Sequence, residues 1–129
     1  MEIRYLNTDL DIESNEDLTP IIEAFGEQVF VLHHGLIKGR HHVSFELSYD
    51  HYSIPDEAIR SFCDLIENLP PTGNLIWSRC ITRVIDVGIE SGASPQCYRF
   101  ELPQSTIHRV SATGASLAVS IYAIPIEEK

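Results

Sequence analysis

The chain has 129 residues, 43% of them hydrophobic and 22% charged, which suits one domain (residues 1–129) whose core needs no metal or disulfide. Nine Lys and Arg face nineteen Asp and Glu, a formal net charge of −10. Such a surface repels nucleic acid and anionic membrane, so the expected partners are basic proteins, with no direct nucleic-acid or membrane contact.

Residues 1–7 alternate weakly and read as a first strand, extending as far as residue 12. Residues 15–25 read as a short helix, with Thr19 as N-cap, Pro20 in the first turn and Gly26 ending it. Residues 28–34 and 41–49 read as two strands. The first holds the continuous apolar run Val29, Phe30, Val31 and Leu32. The second alternates Val43, Phe45 and Leu47 with Ser44, Glu46 and Ser48. The strongest helical pattern follows, with Ile59, Phe62, Ile66 and Leu69 on one face. Ser53 is its expected cap, Pro55 its first turn, and Asp56 and Glu57 suit the positive end of its dipole. Pro70-Pro71-Thr72-Gly73 should stop it. Residues 75–77, 81–90 and 97–102 read as strands, residues 103–113 as a helix closed by Gly114, and residues 116–124 as a last strand. The expected fold is therefore α+β, a mostly antiparallel sheet with three short helices in the order β-α-β-β-α-β-β-α-β.

The stretch VLHHGLIKGRHHV, residues 31–43, holds four of the six histidines. A four-residue loop would pair His33 with His42 and His34 with His41. A two-residue loop at Lys38-Gly39 would pair His34 with Val43 and separate the imidazoles. In either register, adjacent histidines point to opposite faces of the hairpin. Each face then holds two imidazoles, fewer than the three or four ligands of zinc sites, so no metal or cofactor is expected. A metal or small-ligand module built on these histidines is the alternative reading.

In DLDIESNED, Asp9, Asp11 and Glu13 alternate with Leu10 and Ile12, which places these carboxylates on one face of an extended segment, followed by Glu16 and Asp17. The spacing is not a calcium loop: Ser14 stands where Gly is needed and Pro20 where a bidentate Glu is needed. The five carboxylates Asp9, Asp11, Glu13, Glu16 and Asp17 are instead the candidate docking patch for a basic partner, on an acidic N-terminal edge. The hairpin tip at residues 36–40 is a second candidate contact. Cys63, Cys80 and Cys97 are widely spaced with no Cys-x-x-Cys, which argues against a disulfide framework or zinc ribbon. No Gly-x-Ser-x-Gly elbow or Gly-rich phosphate loop is present, and no catalytic residue is assigned. Trp77 reads as a core anchor. The N-terminus, charged from its second residue, is unlike a secretory signal, and no apolar run approaches a membrane span, so a cytoplasmic location is expected.

The C-terminal stretch YRFELPQSTIHRVSATGASLAVSIYAIP resembles the end of a family of small bacterial domains that close with a strand, a short helix and Gly-Ala-x-Leu-x-Val-x-Ile-Tyr. The resemblance rests on Phe100, Leu102, Pro103, Ile107, Gly114, Ala115, Leu117, Val119, Ile121 and Tyr122. Asp17 to Ile22, with Phe25 and Gly26, looks like that family's first helix. The family includes acidic immunity proteins encoded beside polymorphic toxins. The resemblance thus implies a non-enzymatic inhibitor of a cognate toxin of the contact-dependent growth inhibition type. Charge points the same way: a nuclease toxin is basic where it grips phosphate, and its antidote must be acidic where it covers that groove.

Overall fold

Thr8, Leu10, Ile12 and Ser14 are buried while Asn7, Asp9, Asp11 and Glu13 between them are not, the two-residue period of a strand with one face on a core. This strand, β1 (Arg4–Ser14), lies at the centre of the molecule. The computed structural model describes residues 1–49 and 54–123. After β1 come α1 (Thr19–Phe25), a 3-10 turn (Gly26–Gln28), β2 (Val29–Ile37), β3 (Arg40–Leu47), α2 (Pro55–Glu67), α3 (Pro71–Ser78), β4 (Thr82–Glu90), α4 (Gln104–Thr113) and β5 (Ser116–Tyr122). The sheet order is β2-β3-β1-β4-β5. The pairs β2–β3, β3–β1 and β1–β4 are antiparallel, and β4–β5 is parallel. Parallel neighbours need a crossover, which α4 supplies.

Among the described residues the fold is thus α+β with a mixed sheet and four helices, and it departs from the expected elements in three places. Residues 75–77 are not a strand but part of α3. Pro71 sits in its first turn, and Gly73, Ile76 and Trp77 are buried at helical spacing. The double proline therefore opens a helix, α2 having already ended at Glu67. Residues 97–102 form no strand. The place beside β4 is taken by β5, while Tyr98, Phe100 and Leu102 pack half-buried against the core. The first strand runs to Ser14, further than its weak early alternation suggests. Leu18 rather than Thr19 occupies the cap of α1; Asp17 bonds the Thr19 N–H at 3.0 Å and its hydroxyl at 2.7 Å. Ser53, the expected cap of α2, and residue 124 at the end of the last strand lie outside the described residues.

The helices contribute to one hydrophobic cluster on one face of the sheet. Leu10, Ile12, Val43, Phe45, Ile85 and Val87 meet Ile21, Phe25, Ile59, Phe62 and Trp77 there. Trp77 is a core anchor, donating its indole N–H to the Thr113 carbonyl at 2.7 Å. Arg109 of α4 clamps α2 through Asp64 at 2.6 Å and Glu67 at 2.7 Å, and these carboxylates hold its guanidinium more firmly charged than usual. Burial pushes the Cys63 and Cys80 thiols up to about 11, so neither is poised as a thiolate nucleophile. Cys97 is exposed. Among the described residues no helix is long and apolar enough to cross a membrane.

Candidate functional site: the open acidic face of the sheet

The core occupies one side of the sheet, and strand alternation assigns the residues of the other. On β1, Asn7, Asp9, Asp11 and Glu13 follow one another along this open face. Cross-strand register adds neighbours to each. Asp9 lies opposite Glu46 of β3 on one side and Asp86 of β4 on the other. Asp11 lies between Ser44 and Val84, and Glu13 between His42 and Thr82. Arg4 is opposite Glu90 further along. Among the described residues the open side of these strands thus carries six carboxylates (Asp9, Asp11, Glu13, Glu46, Asp86, Glu90) against two arginines, Arg4 and Arg40.

Five of the six are held by the following bonds. Asn7 donates to Asp9 at 3.3 Å, and Ser44 donates its hydroxyl to Asp11. Glu13 pairs with Arg40 at 3.2 Å and Glu90 with Arg4 at 3.2 Å. The Ser120 hydroxyl lies 2.8 and 2.9 Å from the two oxygens of Asp86. These bonds orient the acids but leave the row Glu46–Asp9–Asp86 crossing three strands with like charges opposed. Directly opposed like charges destabilise a sheet, by roughly 0.2–1 kcal/mol per pair on the usual cross-strand scale. Apolar side chains flank the acids: Phe30 of β2, 57% exposed, lies opposite Glu46, and Tyr122 of β5, 54% exposed, lies opposite Glu90. A shallow depression of about 460 Å³ lined by Leu6, Asn7, Glu46, Glu90 and Tyr122 occupies one part of the face.

The five carboxylates singled out in the sequence do not form one surface. Asp9, Asp11 and Glu13 stand together, though on the central strand rather than an edge. Glu16 and Asp17 follow the strand and bind other elements. Glu16 pairs with Arg79 just after α3 at 3.2 Å. Asp17 accepts two bonds from Thr19 at the start of α1, and these are the main reason its carboxyl is held below the usual carboxylate range. Glu46, Asp86 and Glu90 were missed as members of the face. The period-two pattern of their strands was the available signal, but only the strand order reveals that they adjoin β1.

The hairpin turn has two residues, Lys38 and Gly39, and His34 lies opposite Val43, as that register requires. The imidazoles are nevertheless not all separated. His33 lies opposite Ser44 in the register set by the turn, and its ring meets that of His42, its diagonal neighbour on the same face, with Nδ1 atoms 3.0 Å apart and ring centroids 5.1 Å apart. Gly35 lies opposite His42, and a Cβ there would make only ordinary contact with the His33 ring, at 3.8 Å. His34 and His41 fall on the other face, close enough to Asp17 to favour its charge. Two imidazoles fall short of a zinc ligand set, and Glu13, opposite His42, is engaged by Arg40. Among the described residues no group of three or more His, Cys, Asp or Glu is arranged to hold a metal ion.

The site is a broad, acidic, weakly concave sheet face with aromatic flanks, suited to covering a protein surface rather than enclosing a small molecule. No protein-family model, curated protein or solved structure matches the chain.

Proposed function

We propose that this protein is a cytoplasmic immunity protein that binds and neutralises a cationic toxin, of the nuclease kind deployed in contact-dependent growth inhibition, without catalysing a reaction itself. The observation that carries the reading is the row Glu46–Asp9–Asp86, extended by Asp11 and Glu13, on a sheet face that no described helix covers. Like charges lined across three strands cost stability, and a cationic partner would turn that cost into attraction. The net charge of −10 would steer the encounter, and Phe30 and Tyr122 are of the type that anchors protein interfaces. The family likeness at the C-terminus agrees with this reading.

Co-expression with the product of the neighbouring gene tests it. A stable complex at micromolar concentration is expected, with an association rate that falls as salt is added. A neighbour with no toxic activity, or the absence of any complex, would overturn the proposal.

A further inference from the structure

Among the described residues the outer strands of the sheet are β2 and β5. An outer strand is a template for pairing, and proteins usually blunt it with charge, proline or a bulge. β2 carries such a device, the irregularity between Val31 and His33. β5 carries none. Its sequence, SLAVSIY, has no charge and no proline, and its register against β4 runs unbroken from Ser116 to Tyr122. Leu117, Val119 and Ile121 lie opposite Ile85, Val87 and Ile89, so they belong to the helix-side face. Their neighbours on β4 are buried, yet they are themselves 39%, 47% and 68% exposed. Ile107 of α4, 54% exposed, stands beside them across a groove of about 340 Å³ that Leu117 also lines.

We propose that β5 is a homodimer interface, in which two copies pair this strand antiparallel across a two-fold axis through Val119. The strand is self-complementary about that residue. Leu117 then lies opposite Ile121 of the second copy, Val119 opposite its own symmetry mate, and Ala118 opposite Ser120. Residues two apart share a face and opposed residues share a face, so every apolar side chain of the stripe meets an apolar one. A two-fold contact must be self-complementary, and β2, with its broken register, does not offer this. Charge selects the same place. Two chains of net charge −10 repel, and β5 lets them meet without opposing any charged pair within the strand. The two sheets join into one, and the acidic face remains open on both copies, so the dimer and the toxin complex do not compete.

Light scattering on the full chain at micromolar concentration tests this. The expected mass is twice that of the chain, and added salt should strengthen the dimer by screening its repulsion, the reverse of its effect on a cationic partner. Val119→Lys, at a half-exposed position, should halve the mass with unchanged circular dichroism, while Leu32→Lys on β2 should leave the dimer intact. A second variant guards against misfolding: Val119→Cys in a Cys97→Ser background should be joined into a covalent dimer by a short thiol-specific cross-linker, because directly opposed Cβ atoms on paired strands lie only about 4.5–5.5 Å apart. A monomeric wild type, a dimer that survives Val119→Lys or is broken by Leu32→Lys, or a Val119→Cys chain that does not cross-link would each overturn the proposal.

Discussion

Asp56 is the one charged residue in the buried set among the described residues. It accepts the Thr106 hydroxyl at 2.5 Å on one oxygen and the Arg60 guanidinium at 3.0 Å on the other. The bond to Thr106 ties the start of α2 to α4, fifty positions along the chain. Thr106→Val keeps the shape and removes the donor, leaving a buried carboxylate one partner short. Urea denaturation should show a loss of about 1–3 kcal/mol. A variant as stable as the wild type would show that Arg60 alone satisfies the carboxylate. From the sequence Asp56 is legible only as a favourable charge at a helix N-terminus. Its buried partner is invisible there, because nothing in local spacing marks two residues so far apart as neighbours.

At the scale of elements, periodicity succeeds where one face of a segment is buried and fails where other segments do the burying. β3 and α2 are readable because their apolar faces meet the core directly. Residues 97–102 alternate like a strand, but an extended segment needs a free edge, and β5 holds the one beside β4. The hairpin is the sharpest case. Its two-residue turn holds Lys38 at φ 52° and Gly39 at φ 80°. Two central residues of positive φ make the turn of a tight hairpin, in which Asn-Gly is the favoured pair. A lysine at positive φ is strained. Lys38→Asn should therefore stabilise the protein by roughly 1 kcal/mol, read as a raised urea midpoint with an unchanged slope. A lowered midpoint would mean that the lysine makes a compensating contact. The turn length also settles which histidines meet, and the contact that results, His33 on His42, is diagonal rather than directly opposed.

For the whole molecule, the acidic face predicts a trade between stability and binding. Asp9 sits between Glu46 and Asp86, so Asp9→Asn should relieve like-charge repulsion and stabilise the fold by about 0.2–1 kcal/mol. The same change should slow association with the proposed cationic partner more than it speeds dissociation. Glu23→Gln, which removes the same charge from an exposed position on α1, is the control and should affect association far less. Stopped-flow kinetics beside urea denaturation read both halves. An Asp9→Asn variant that is no more stable and binds no more slowly would remove the face from the proposed function.

Composition and alternation are enough to establish an acidic α+β chain, the one-faced burial of β1 and β3, and the common face of Asp9, Asp11 and Glu13, because these depend on charge and on periods within a segment. Strand order is a different matter. Which strands flank β1, and therefore whether its acids form a rim or the middle of a face joined by Glu46, Asp86 and Glu90, depends on contacts between segments far apart in the chain. The parallel return of β5 through α4 is of the same kind: the sequence shows only that its apolar residues share one face, and its place at the end of the sheet leaves them exposed.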